Sequence, residues 1–490
     1  MTVTLKQHAE IPSVKDIDNA DNWIMIFSSP LKKRRFPYQE QILNRYDKYG
    51  EKGKNSIPVI IDLPNKNTSH VSFAMLSSNV SSFDLLTLSR KLVSSHAATN
   101  PRKIGLFVFG FGKKESERIA EALISAALAA SAVMPEFKSK KRMTPSLASL
   151  VLFGVYARHN FKKSFAIAEG NALTRSLSIL PPNKLTPTDY LKKIKEIAKK
   201  NKWKLEFYNE AALKRKKAGA FLAVSQGSAK ADAGIVRLRY MPKTGAKTKK
   251  VFLVGKGICY DTGGTNLKPA NYMFGMHEDM QGSAVALGTL LALTKLNFNR
   301  PVECWMALAM NHIGPKAYKP NDVVSASDGT TIEVVHTDAE GRMVLADTLA
   351  LASKEKPSLI VDYATLTGAC IYSIGTSYSG IFTNKNNWHL SLIKAGEDSG
   401  ERVWPFPLDE DFDQMLKSDI ADIKQCSQES GVDHILASRF LQRFVKNNIP
   451  WIHIDLSSSS KKGGLGHIPT NTTGFGVRYT VNLLLNDYLN

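Results

Sequence analysis

The stretch VFLVGKGICYDTGGTNLK, Val251–Lys268, constrains the fold of this chain most. The four apolar residues Val251–Val254 suit a short buried strand. Gly255, Gly257, Gly263 and Gly264 follow, and glycine permits backbone turns that other residues resist. The expectation is a buried strand that ends at Gly255 and runs into a Gly-rich turn. Such a turn at the end of a strand is where sites form in open α/β sheets.

The flanking sequence repeats the alternation of strand and helix. Trp203–Tyr208, Gly234–Tyr240, Glu303–Ala309 and Leu359–Tyr363 read as strands, and Pro242–Lys250 reads as a polar loop. Ser283–Leu296, small and apolar, reads as a helix. Thr186 suits an N-cap, with Pro187 at the first helical position and Asp189 three residues after the cap. Leu191, Ile194 and Ala198 then recur at helical spacing. The predicted class is α/β: a central mixed sheet covered by helices on both faces. Upstream, Val59–Asp62 and Ile104–Phe109 read as strands and Glu115–Met134 as a helix, which makes a smaller N-terminal α/β domain. A helix over Glu169–Leu177 meets Pro181–Pro182, which cannot continue it. With 490 residues the chain exceeds one ordinary core. The expected domains are 1–165, of assembly or regulatory character, and 166–490, carrying the chemistry.

Cys259, Cys304, Cys370 and Cys426 lack CxxC spacing, which argues against a disulfide framework and a cysteine zinc site. No apolar run reaches the roughly 18–20 residues of a membrane span. The opening MTVTLKQHAEIPSVKD has no apolar core of a signal peptide. The expected compartment is the cytoplasm. The net charge is +21, and it is uneven: residues 1–250 hold 45 Lys+Arg against 19 Asp+Glu, residues 251–490 hold 20 against 25. Basic clusters fall at Lys32–Arg35, Lys138–Arg142, Lys192–Lys204 and Lys214–Lys217. Solvated helix faces explain them, and contact with DNA or RNA is the sharper alternative, although no nucleic-acid motif accompanies the charge.

Three segments concentrate chemistry: VGKGICYDTGGTNLK with Lys256, Asp261 and Lys268, MHEDMQGSA with Asp279, and HTDAEGRMVLAD with Asp338, Glu340 and Arg342. If they converge, four carboxylates meet in one place, which is unfavourable unless cations neutralise them. Two divalent metals sharing carboxylates are a usual solution in hydrolases. A lysine amine can ligate a metal when neutral, and a second lysine can polarise a carbonyl. Other readings remain open. Thr337 and Glu340 have the spacing of a helix capping box. GKG after a strand hints at a nucleotide loop, without the rest of either motif. Asp261-Thr262-Gly263 mimics an aspartic-protease triplet, with Asp398-Ser399-Gly400 as the only partner. His277 and His336 could be ligands or supporting groups.

VGKG-x3-DTGG-x3-K, EDM and TDAEGRMVLADTL together resemble the leucine aminopeptidase family. EGNALTRSL-x3-PPN, DYATLTGA and TGFGVR extend the resemblance over about residues 168–490. It implies one metal held by Lys256, Asp261, Asp279 and Glu340. The other would be held by Asp261, Glu340 and Asp338, the last through side chain and backbone carbonyl. Lys268 and Arg342 would be catalytic, with bicarbonate near Arg342 as general base. Met276, Thr365, Leu366 and Gly368 would bind the substrate and favour an apolar, Leu- or Met-type N-terminal residue. The resemblance further implies zinc or manganese, peptide substrates and a homohexamer. His336 stands where the family usually has Asn, and the residues flanking Asp279 are unusual. These departures bear on specificity and pH optimum.

Overall fold

The computed structural model describes residues 3–31, 35–49, 58–77, 79–140, 143–245, 249–429, 431–486 and 488–489. Parts of two basic clusters, residues 32–34 and 141–142, and part of the 242–250 loop, residues 246–248, lie outside the described residues. The chain divides into two compact units. The first comprises residues 1–168, 397–400 and 462–471, and the second comprises 169–396, 401–461 and 472–490.

The first unit is built on a six-stranded sheet in the order Thr4–His8, Ser149–Phe153, Lys103–Phe109, Asn22–Ser28, His70–Leu76, Val59–Asp62. Only the last strand is antiparallel to its neighbour. Alternate residues of a strand face opposite sides. Thus Ile24 and Ile26 join a core with Leu85, Leu92, Ile119 and Leu123 of the helices Ser82–Ser94 and Lys113–Ser131. Trp23, Met25 and Phe27 instead join an aromatic core with Phe36, Phe73 and Phe107. The second helix stops at Ser131, three residues before the expected Met134, and Ala132 is already extended. Pro135 follows, and a proline disfavours helical backbone in the residue before it.

The second unit holds an eight-stranded mixed sheet in the order Val403–Pro405, Ser379–Thr383, Trp451–Asp455, Leu359–Ala364, Val251–Asp261, Val302–Asn311, Gly234–Tyr240, Lys204–Asn209. The four strands from Trp451–Asp455 to Val302–Asn311 run parallel. Helices cover both faces, as expected. Phe252 and Val254 share a core with Met343, Leu345 and Leu349 of helix Glu340–Ser353. On the other face, a Cβ at Gly255 would lie 2.4 Å from Ser283 Cα, in helix Gln281–Lys295. The expected turn at Gly255 is therefore a correction. The strand continues through Gly255 and Gly257 to Asp261; Gly255 admits a helix at backbone distance rather than bending the chain, and a Cβ at Gly257 would meet the Ala307 carbonyl of the neighbouring strand at 2.7 Å. The turn comes later, at Gly263 and Gly264, whose φ values are +87° and +68°. The helix Pro187–Asn201 begins with the predicted capping box of Thr186 and Asp189. All four cysteines are free and buried. Among the described residues no helix is long and apolar enough to cross a membrane.

A buried carboxylate anchors the last helix of this unit. Glu401 Oε2 accepts hydrogen bonds from the Gly476 and Tyr479 N–H groups at 2.9 and 2.7 Å. Those amides start helix Val477–Leu485 and have no partner within it. Burial pushes the Glu401 carboxyl up to about 7, against the pull of the two amides and Arg478. A raised folded-state value means the group's contribution is fully present below its unfolded value of 4.5 and is lost as pH rises through about 7. We expect Glu401→Gln, which keeps an acceptor oxygen, to flatten this limb. Urea denaturation should show the variant gaining up to about 3 kcal/mol on the parent between pH ~4.5 and ~8.

Candidate metal centre and active site

The four parallel strands deliver polar residues at their C-terminal ends. Asp261, Asn311 and Asp455 are the last residues of their strands, and Thr365 directly follows Leu359–Ala364. Asp279 follows a single 3-10 turn, Met276–Glu278, and Glu340 opens helix Glu340–Ser353. Lys256 lies inside its strand on the face toward that helix. A Cβ at Gly341 would meet Lys256 Nζ at 2.7 Å, so Gly341 makes room for the amine.

These side chains converge. Lys256 Nζ lies 2.8 Å from both Asp279 Oδ1 and Glu340 Oε1, and it donates to the Thr365 carbonyl at 2.9 Å. Lys268 Nζ lies 2.9 Å from Asp261 Oδ2 and 2.5 Å from Asp338 Oδ1. Asp261, Asp338 and Glu340 each offer an oxygen within 4.8 Å of the others. Each ammonium thus ties together two carboxylates, and Lys256, Asp261, Asp279 and Glu340 are all buried.

The charges are unbalanced: four carboxylates face two ammoniums. Burial first, then repulsion from Asp261 and Glu340, pushes Asp338 up to about 7. Burial raises Asp279 well above the usual range, and Glu340 is raised as well, chiefly by burial and by Asp261. Burial works against the charge on Lys256 and Lys268, but the surrounding carboxylates outweigh it and hold both amines protonated. Asp279 Oδ2 is buried with no hydrogen-bond partner among the described residues. A clustered set of hard oxygen donors with surplus negative charge fits divalent cations. A metal at Lys256 would have to displace its proton.

The cluster lines part of a cavity of about 600 Å³. Met276, Thr365, Leu366 and Gly368 line it beside Lys256, Asp261, Lys268, Asp279, Asp338 and Glu340. Arg342 is not part of this wall. Its Nη2 donates to both oxygens of Asp433 at 2.8 Å, and its Nη1 donates to the Gln425 carbonyl at 3.2 Å. Nη2 and Nη1 are thus engaged by protein groups and only Nε lacks a partner among the described residues, which does not fit a two-pronged hold on that ion.

The competing sequence readings resolve locally. Thr337 does not cap the helix: Ala339 holds the N-cap position without a side-chain bond. Thr337 Oγ1 donates to the Gly263 carbonyl at 2.6 Å and accepts from the Asn266 N–H at 2.8 Å, tying the two acidic loops together. His336 Nδ1 accepts from the Asp338 N–H at 3.2 Å. Neither His336 nor His277 joins the carboxylate cluster found among the described residues. Asp398 lies within helix His389–Ser399, not at a strand end as a protease triplet requires.

Comparison with known proteins adds ancestry to this geometry. The sequence model of the "Cytosol aminopeptidase family, catalytic domain" matches residues 172–481. A probable cytosol aminopeptidase of Prochlorococcus marinus is 39% identical over 353 residues, 71% of this chain and 70% of the relative. One from Stutzerimonas stutzeri is 40% identical over 340 residues, 68% of this chain and 67% of the relative. Among solved structures, the bottromycin maturation enzyme BotP in complex with Mn superposes with a TM-score of 0.82 at 29% identity, covering 95% of this chain and 99% of that one. A tomato leucine aminopeptidase variant superposes with a TM-score of 0.86 at 25% identity, covering 99% and 97%. The chain belongs to the cytosol aminopeptidase family. It is a metallo-aminopeptidase, a hydrolase that removes N-terminal residues from peptides.

Several supports of this aminopeptidase site escaped the sequence reading. Asn311 Nδ2 donates to Asp261 Oδ1 at 2.8 Å and to the Thr337 carbonyl at 3.0 Å, joining two of the acidic loops. Thr365 Oγ1 donates to Asp279 Oδ1 at 2.8 Å, so a residue expected only in the substrate wall also orients a carboxylate. Asp455 accepts from the Leu366 N–H and the Thr367 hydroxyl, pinning the cavity wall. A signal existed: Asn311 ends an apolar run, and Asp455 follows the strand-like Trp451–Ile454. We expect Asn311→Ala, which removes one of the two donors on Asp261 Oδ1, to weaken metal affinity about 10–100-fold, as loss of ligand-orienting groups does. Equilibrium dialysis with metal analysis reads this directly.

Proposed function

We propose that Lys256, Asp261, Asp279 and Glu340 hold one divalent ion and Asp261, Asp338 and Glu340 a second, zinc or manganese at either site. The observation that carries this reading is the buried group of four carboxylates with only two ammoniums, at the ends of adjacent parallel strands. When bound, the metals would lower the pKa of water, polarise the scissile carbonyl and anchor the substrate's free α-amine.

The chain's own residues supply the rest. Lys268, kept cationic by Asp261 and Asp338, is placed to stabilise negative charge that develops on the carbonyl oxygen. Met276, Leu366, Thr365 and Gly368 receive the side chain of the N-terminal residue, and the apolar members favour Leu or Met. Arg342 supports the site through its fixed side chain. Bicarbonate is left out of the reading because the guanidinium is already engaged. The wider reading keeps a cytoplasmic homohexamer, with the first unit serving assembly or regulation.

Leucine p-nitroanilide turnover with added Mn²⁺ or Zn²⁺ tests the reading. Absence of turnover with any metal, together with metal-free protein, sinks it. Lys268→Ala is expected to lower turnover by about 10²–10³-fold, the usual loss for a group that stabilises developing charge, and to leave metal content intact. Near-normal turnover removes the role given to that lysine.

An added nucleic-acid role rests on the basic charge alone. Divided by unit, the first holds 26 Lys+Arg against 15 Asp+Glu and the second 39 against 29, so the excess is +11 and +10. Lys192, Lys195, Lys199 and Lys200 lie on the exposed side of helix Pro187–Asn201, opposite buried Tyr190, Ile194 and Ala198. That is the pattern of a solvated amphipathic face. A gel shift at low salt that weakens steeply as salt rises is the outcome that favours the added role. No shift at low salt removes it.

A further inference from the structure

The Arg342 guanidinium is buried in the second unit, at the first turn of the helix that Glu340 opens. Two of its three nitrogens have protein partners. Nη2 reaches both Asp433 oxygens at 2.8 Å, and Nη1 reaches the Gln425 carbonyl at 3.2 Å. Only Nε lacks a partner among the described residues. Planar anions such as carbonate are held by two parallel N–H groups. A single Nε–H cannot provide that grip while Asp433 occupies Nη2.

Asp433 is well placed to keep its hold. It is the first residue of helix Asp433–Gln442, where the helix dipole favours a carboxylate. Its backbone is fixed by that helix, so pairing with Arg342 costs no translational freedom, whereas a free anion must give that freedom up. The side chain of Asp433 is 38% exposed, so solvent screens the pair in part. Arg342 is 2% exposed and would be left a buried, unpaired cation if Asp433 withdrew.

We propose that Asp433 takes, at Arg342, the place that family resemblance gives to bicarbonate, so that this aminopeptidase neither binds a carbonate ion there nor depends on one. Asp433 is a positioning residue: it acts on the site by fixing the guanidinium. The inference rests on Arg342 belonging to the proposed site, and its test separates the two.

The experiment has two readouts on the full-length, metal-loaded protein. The first is binding of ¹³C-bicarbonate, followed by NMR line broadening, which does not depend on turnover. The second is leucine p-nitroanilide turnover in CO₂-depleted buffer with bicarbonate titrated back. The parent protein is expected to leave the ¹³C signal sharp and its turnover flat across the titration. Asp433→Ala is expected to broaden the signal. In depleted buffer its turnover should fall about 10–100-fold, the range for loss of an orienting group, and bicarbonate should restore it. Asp433→Asn, nearly the same size, covers the case in which the alanine variant does not fold, and is expected to behave as a weaker version of it.

Broadening by the parent protein, or parental turnover that climbs with bicarbonate, overturns the proposal. So does an Asp433→Ala or folded Asp433→Asn variant that neither binds bicarbonate nor needs it. If the parent turns over no peptide substrate, the aminopeptidase reading of the site fails, while the binding readout still decides between Asp433 and bicarbonate at Arg342.

Discussion

The second unit is organised around a charge imbalance. Four carboxylates and two ammoniums are confined at the C-terminal ends of parallel strands, and most of them are nearly shut off from water. Burying this many like charges is costly unless cations are gathered among them. Each lysine therefore bridges two carboxylates rather than one: Lys256 joins Asp279 to Glu340, and Lys268 joins Asp261 to Asp338. Burial first, and then repulsion among the carboxylates, raises Asp338, Asp279 and Glu340 together. The polar support around them, with Asn311, Thr337 and Thr365 each bonding across loops, holds the carboxylates in a geometry they would otherwise repel each other out of.

That confinement depends on close packing behind it. The central strand must carry Lys256 toward one helix while a second helix presses on its other face. Period-two alternation puts Lys256 on one side and Gly255 and Gly257 on the other. Gly255 meets Gly282 and Ser283, Gly282 meets the Tyr363 carbonyl, and Gly341 clears the space that Lys256 fills. Three glycines, Gly255, Gly282 and Gly341, thus set how near the helices approach the site. Gly263 and Gly264 act instead through their backbone conformation, turning the chain from Asp261 toward Lys268.

This separates what the sequence discloses from what it hides. Short apolar runs reveal most of the central strands, and the lysine–aspartate spacings reveal the cluster, because both are local patterns. The mixed sheet and its flanking helices were legible for the same reason. Gly255 was misread because a glycine inside a strand and a glycine ending one look alike until a neighbour is known. Thr337 and Glu340 have capping-box spacing, yet Thr337 bonds to Gly263 and Asn266, partners more than seventy residues away. Asn311, Asp455 and Asp433 were missed because each acts through a long-range contact.

Arg342 shows how a matching motif can leave function open. Its position in TDAEGR fits the family pattern, but a guanidinium is defined by what its five donors face, not by where its Cα lies. Here a carboxylate about ninety residues along the chain reaches it first. Asp433 opens a helix whose interior face packs Leu436 and Phe440 into the same core as Met343 and Leu345 of the Arg342 helix. The two helix starts are therefore held together by apolar packing, and the ion pair forms between groups already placed. An interaction set up this way is part of the fold. An exogenous anion would have to compete with it rather than fill a space left for it.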